Sequence, residues 1–225
     1  WYSWRFQLPA LAAAGYRAVA VDMRGYNLTD RPTRTSDYHV DHLVADVDAL
    51  IVALGASRAH IVGHDWGAIV AWFFAMAHPE RVDRLVIMNV PHPARMEKML
   101  FSAHQMKKSW YVLFFQLPWL AERLITRDDY RYLRRMFAVT PRRPEAFGPA
   151  EVQRYVDAMA QPGAARAAAN YYRMLLRMGP LGARKRMRRI DRPTLVIWGR
   201  QDHFLDNQWA APPAEWVGNS TLTFI

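Results

Sequence analysis

The stretch that most constrains this chain is Ala59-His60-Ile61-Val62-Gly63-His64-Asp65-Trp66-Gly67-Ala68. Ala59 to Val62 is mostly apolar, as in a strand buried on both faces. The apolar run from Ala68 to Met76 is long enough for a helix. A small–x–Asp–x–small turn between such a strand and such a helix is the pattern of a nucleophile elbow. Its glycines are needed because strand and helix backbones close up where nothing larger fits. The turn lifts the Asp65 side chain clear of the sheet. It also leaves the backbone N–H of Trp66 expected to point, unpaired, toward a reacting oxygen at the helix N-terminus. A plainer reading of the same residues is a helix N-cap aspartate after a buried strand.

An apical aspartate argues against serine-type acyl transfer, because a carboxylate attacks saturated carbon and forms an ester. Such a nucleophile needs a histidine to activate water and a second carboxylate to orient that histidine. Asp202 is the best orienting acid, since it lies just past the apolar run Thr194 to Gly199. By itself it also reads as a turn residue in Gly199-Arg200-Gln201-Asp202.

The rest of the chain supplies a frame for these residues. Residues 1–14 read as an amphipathic helix with Trp4, Leu8, Leu11 and Ala12 on one side, stopped by Gly15. Tyr16 to Met23 reads as a buried strand, and Leu43, Val47, Leu50, Ile51 and Leu54 recur at helical spacing before Gly55. Val82 to Val90 and Thr194 to Gly199 read as further strands, and Ser220 to Ile225 as a last one. Strands alternating with helices, without hairpin signals, predict an α/β fold with a mostly parallel sheet flanked by helices. The ligand site of such a sheet lies beyond the carboxyl ends of its strands, where Met23, Asp65, Asn89 and Asp202 fall. Residues 94–180 are helical in pattern, which predicts an inserted helical cap between core segments 1–93 and 181–225.

Charge is unevenly placed. Of the net +10, residues 95–189 hold +13, from 20 Lys/Arg and 7 Asp/Glu. A basic segment of this kind suits nucleic acid or an anionic membrane. Here, though, the basic residues alternate with apolar ones along helical patterns, as on solvated faces, so no nucleic-acid partner is expected. The run Arg184 to Arg189 reads as an exposed helix end, where cations suit the dipole. No stretch of about twenty apolar residues lacks a charge, so no membrane span is expected. The absence of cysteine excludes disulfides and thiolate metal sites and fits a cytoplasmic location.

Gly63-His64-Asp65-Trp66-Gly67 resembles the elbow of α/β-hydrolases that use aspartate, the epoxide hydrolases and haloalkane dehalogenases. The resemblance to epoxide hydrolases runs over nearly the whole chain. It takes in Trp1-Tyr2-Ser3-Trp4, Asp22-Met23-Arg24-Gly25-Tyr26, the elbow, Asn89-Val90-Pro91-His92-Pro93, Trp110 to Pro118, Asn170 to Arg173 and the acid strand. It implies Asp65 as nucleophile, Asp202 as the acid behind a histidine, and Tyr111 and Tyr172 on the epoxide oxygen. Tyr171 beside Tyr172 leaves the second tyrosine open by one residue. It further implies Trp66 at the oxyanion, Trp110 and Phe114 toward a small apolar epoxide, and no metal or organic cofactor. Two parts that the resemblance calls for are expected outside this chain: a His-Gly-x-Pro loop before Trp1 and the catalytic histidine after Ile225. None of His39, His42, His60, His64, His78, His92, His104 or His203 has the required place, so the chain is expected to be a fragment unable to turn over. His64 is expected to pack. Two alternatives stay open: a haloalkane dehalogenase with the same nucleophile, and a catalytically silent ligand receptor. Substrate identity and oligomeric state are not legible.

Overall fold

The computed structural model describes residues 1–100, 102, 105 and 108–225. It divides into two compact units, residues 1–35 with 118–170, and residues 36–117 with 171–225. Among the described residues, no helix is long and apolar enough to cross a membrane.

The second unit contains a four-stranded sheet in the order β1 (Ala59–His64), β2 (Val82–Met88), β3 (Thr194–Trp198), β4 (Ser220–Phe224), parallel at every junction. The register sets His64 beside Met88 and Met88 beside Ile197, so the strands end at one level. The parallel sheet is the one expected from the alternation of strand and helix patterns. The sequence reading had β1 buried on both faces, whereas Val62 is 41% exposed. Among the described residues β1 is an end strand of the sheet, beside β2.

Helices bury the sheet through their apolar sides. Helix α2 (Val40–Ala53) inserts Leu43, Val44 and Ile51 and ends before Gly55, whose φ of 73° suits only glycine without strain. Helix α3 (Trp66–Ala77) is buried on nearly all sides, from Ala68 through Met76, and packs on β1, β2 and α2. Trp72, Phe74, Leu85, Ile87, Val196 and Trp198 form the centre of this core. After β2 the chain enters α4 (Pro93–Leu100) and then α5 (Trp110–Phe114).

The first unit is mainly helical. Where one helix was expected over residues 1–14, a single turn at Tyr2–Trp4 is followed by α1 (Gln7–Ala13). Pro9 explains the break. Its ring lacks an N–H and clashes with the carbonyl four residues earlier, so a helix tolerates it only in the first turn. The expected strand over Tyr16–Met23 is absent. Its valines Val19 and Val21 are exposed, and among the described residues no strand pairs with this run to satisfy its backbone. Helices α6 (Leu120–Val139), interrupted at Arg127–Tyr130, and α7 (Pro149–Met159) follow. Helix α8 (Ala164–Arg186) begins in this unit, and its residues from Tyr171 onward belong to the second. The described part of 94–180 holds no strand, as its pattern predicted.

The basic run at the end of α8 also behaves as read. Arg184, Lys185 and Arg186 form its last turn, and Arg186 grips Asp41 in the first turn of α2 through two bonds, Nε to Oδ1 at 2.6 Å and Nη2 to Oδ2 at 2.7 Å.

Candidate active site

The elbow is the point where β1 becomes α3. Asp65 sits between them with φ 51° and ψ −125°, a conformation that costs a non-glycine residue roughly 1–3 kcal/mol and is held only where its surroundings demand it. Its carbonyl accepts the N–H groups of Ala68 at 2.9 Å and Ile69 at 3.1 Å, which starts the helix. Gly63 lets the two elements approach: a Cβ there would lie 2.4 Å from the Gly67 carbonyl oxygen. The Asp65 side chain caps none of the helix N–H groups in the usual N-cap manner, which disfavours the plain N-cap reading.

Asp65 is exposed to solvent as a residue, while protein atoms crowd its carboxyl group. That burial is the main influence lifting its pKa above the ordinary carboxylate value. Nearby His64 acts against the rise, the negative charge of Asp202 adds to it, and a hydrogen bond from the Trp66 N–H lowers it. The Trp66 N–H thus faces the carboxylate at the apex. Exposed His64 does not pack in the core; it lies close enough to bear on the charge of Asp65.

Asp202 lies just past β3 on a turn that its own carboxylate organises. Oδ1 accepts the N–H groups of Phe204 at 2.7 Å and Leu205 at 2.9 Å. Oδ2 accepts a short bond from Asn89 Nδ2. Asn89 stands at the end of β2 with φ 53° and also accepts the Gly199 N–H at 3.2 Å. It thus bridges two strand ends to the acid. Sequence reading noted Asn89 as a strand-end residue without giving it this task. No histidine among the described residues is bonded to Asp202, and His104 lies outside them.

Tyr111 on α5 and Tyr172 on α8 meet edge to face, with ring centroids 5.8 Å apart. Tyr172 stands edge-on to Trp66 at 5.1 Å, and Tyr111 meets Phe204 at 6.2 Å. Both tyrosines therefore lie in one aromatic cluster, bounded by the residue after Asp65 and by the turn that holds Asp202. The two neighbouring tyrosines differ in burial. Tyr171 is 1% exposed and wedged between Tyr38 at 5.3 Å and Trp66 at 5.0 Å, whereas Tyr172 is half-buried.

Backbone carbonyls hold α5 against α8. Arg173 Nε donates to Phe115 O at 3.0 Å and Nη2 to Leu117 O at 3.2 Å, while Gln116 Nε2 donates to Tyr172 O at 3.2 Å. Phe115 lies 4.6 Å from Tyr172. Phe114 meets Phe115 with ring centroids 6.0 Å apart, and Trp110, 57% exposed, meets Phe114 at 6.1 Å. The outward member of the expected apolar wall is thus on the surface, and Phe115 occupies the inner place. The α5 sequence is apolar throughout, so no periodic signal separated inner from outer residues. Tyr38 and Phe204 escaped notice for a different reason, being distant in sequence from the motifs they touch.

A family model described as the alpha/beta hydrolase fold matches residues 1–225. The chain belongs to the α/β-hydrolase fold family, as the elbow and the parallel sheet imply. It is 37% identical over 226 residues to the AB hydrolase superfamily protein YfhM of Bacillus subtilis (strain 168), covering 100% of this chain and 78% of that protein. It is 41% identical over 214 residues to Epoxide hydrolase 2 of Caenorhabditis elegans, covering 93% of this chain and 59% of the relative. A crystal structure of a Bacillus megaterium epoxide hydrolase in complex with an inhibitor superposes with a TM-score of 0.86 at 28% identity, covering 99% of this chain and 80% of that one.

Proposed function

We propose that this chain carries the nucleophilic half of an epoxide hydrolase, which opens an epoxide to a vicinal diol through an ester on Asp65. The observation that carries the reading is the meeting of Tyr111 and Tyr172 in the aromatic cluster that includes Trp66, the residue after the elbow aspartate. Likeness to proteins named epoxide hydrolases supports it.

In the first step an Asp65 oxygen attacks an epoxide carbon and the C–O bond breaks. The departing oxygen takes a hydrogen bond or proton from Tyr111 and Tyr172, which bind the developing alkoxide better than the ground-state ring. The product is a glycol monoester of Asp65. The raised pKa of Asp65 fits a carboxylate crowded by protein and by the charge of Asp202, and the Trp66 N–H beside it is placed to serve the carbonyl oxygen of the ester. In the second step water attacks the ester carbonyl and gives its proton to a histidine oriented by Asp202. The oxyanion collapses with cleavage of the ester C–O bond, the imidazolium returns its proton to the departing oxygen, and the diol leaves with Asp65 restored. The residues expected in the cap, 94–180, carry both tyrosines. Phe115 and Trp66 offer apolar faces to an apolar epoxide substituent.

Ester formation needs only Asp65 and the tyrosines, whereas its hydrolysis needs a histidine bonded to Asp202, and none among the described residues makes that bond. The test is the intact mass of the chain after incubation with a small aryl epoxide. A single adduct mapping to Gly63–Gly67, and none with Asp65→Ala, is the expected result. Adduct formation by Asp65→Ala would overturn the assignment. Sustained diol production by this chain would refute the placement of the base, and halide release from a bromoalkane in place of epoxide opening would favour the dehalogenase reading.

A further inference from the structure

Helix α6, in the first unit, carries an arginine at every fourth position: Arg123, Arg127, Arg131 and Arg135, all exposed. Arg127 faces Asp128 at 3.4 Å. Arg123, Arg131 and Arg135 make no side-chain hydrogen bond or ion pair among the described residues. Their neighbour Arg134 shows the contrast: its guanidinium bonds Asp129 and Gln153, both at 2.8 Å. The helix is interrupted between Arg127 and Tyr130, where Asp128, Asp129 and Tyr130 have positive φ. Across that interruption an open recess is lined by Leu124, Arg127, Asp128, Arg131, Tyr132 and Arg135. Three of the four arginines therefore converge on one concavity. At the N-terminal end of the same helix, Trp119 is 79% exposed and Leu120 52% exposed.

Unpaired arginines beside exposed tryptophan and leucine are what a bilayer interface accommodates. Guanidinium groups meet lipid phosphates while the indole and aliphatic side chains sit at the boundary of headgroups and acyl chains. A site for one small anion would enclose it, whereas this recess is open and its cations are exposed. The excess of positive charge in 95–189 adds a longer-range attraction to an anionic surface.

We propose that this face of α6 docks on an anionic phospholipid membrane, with Arg127, Arg131 and Arg135 at lipid phosphates and Trp119 and Leu120 in the interface. The proposal is independent of the hydrolase reading. It is tested by co-flotation of the full chain with phosphatidylcholine vesicles, with and without phosphatidylglycerol. Binding should require the anionic lipid and weaken as salt is raised. Arg131→Gln/Arg135→Gln should lower partitioning roughly thirtyfold, from the typical contribution of a basic residue near an anionic surface. Trp119→Ser should lower it further at every salt concentration. Equal binding to neutral vesicles, or undiminished binding by the double arginine variant, overturns the proposal. Displacement by soluble glycerol phosphate would instead make the recess a small-anion site, and displacement by duplex DNA would make it a nucleic-acid face. Either result also overturns it.

Discussion

Replacing Gly63 with alanine tests the elbow directly. The added Cβ would stand 2.4 Å from the Gly67 carbonyl oxygen, 2.7 Å from the Gly67 carbonyl carbon and 2.7 Å from Ala68 Cα. All three are backbone atoms of the first turn of α3, so no side-chain rotation relieves the contact. Real Cβ atoms essentially never approach closer than 3.0 Å, which sets a minimum opening of about 0.6 Å at the Gly67 oxygen. Forcing extra volume into a closed site costs roughly 1–3 kcal/mol. For a chain of this size that lowers the melting temperature by about 2–12 °C. The same opening displaces Asp65 and the Trp66 N–H, and a misplacement near 1 Å slows chemistry by about a hundredfold. Ester formation by Gly63→Ala should therefore fall by roughly ten- to a hundredfold. Denaturant unfolding measures the first effect, and intact mass against time with an aryl epoxide measures the second. Gly199→Ala is the control, because its Cβ would lie 3.5 Å from Asn89 Nδ2, an ordinary contact. If Gly63→Ala matches the parent in both stability and adduct rate, the steric argument for the elbow fails.

Tyr111→Phe and Tyr172→Phe should each slow adduct formation by about a hundredfold, the typical loss on removing a proton donor, whereas Tyr171→Phe should leave the rate within a few fold; a double Phe variant that alkylates at the parental rate would remove the tyrosines from the mechanism. His92 gives a pH prediction. Its ring is fully buried between Trp72 and Trp216, Nδ1 accepts the Ala94 N–H at 3.2 Å, and burial, helped by Arg95, lowers its pKa to about 4. The unfolded chain binds this proton near pH 6.5 and the folded chain near pH 4, so stability is full above about 6.5 and is lost as pH falls toward 4, by roughly 3 kcal/mol. His92→Asn keeps a cap for α4 and should flatten that part of the stability curve; parallel curves for parent and variant between pH 4 and 6.5 would refute the assignment.

Local sequence was sufficient wherever the deciding interactions are local. Gly63 and Asp65 declared the elbow because a sharp strand-to-helix turn admits few residue types, and the helical period of Leu43 to Leu54 declared α2. Apolar runs of strand length declared β1 to β4, and the lack of hairpin signals declared their parallel order. Pro9, although visible, was outweighed by the apolar spacing around it, so one helix was expected where a turn and a short helix form. The run Tyr16–Met23 shows the limit of such reading. Apolar composition makes a segment fit to be a strand, but a strand exists only where a neighbour takes up its backbone groups.

What the tertiary structure alone decided is which side chains share the site. Asn89 and Asp202 are 113 residues apart, and their bond exists because β2 and β3 are adjacent and end at the same level. Tyr171 and Tyr172 are equivalent in sequence, and only the packing of Tyr38 and Trp66 buries one and leaves the other toward Tyr111. Trp110 lies on the surface, against expectation, and Phe115 lies against Tyr172 for the same reason, since the sequence of α5 is apolar throughout and the choice of inner face falls to the bonds that join residues 115–117 to α8 through Arg173 and Gln116. Turn geometry and periodicity depend on neighbours a few residues away and are therefore written locally. The contents of a site depend on which distant segments meet, a choice made by the burial of the whole core.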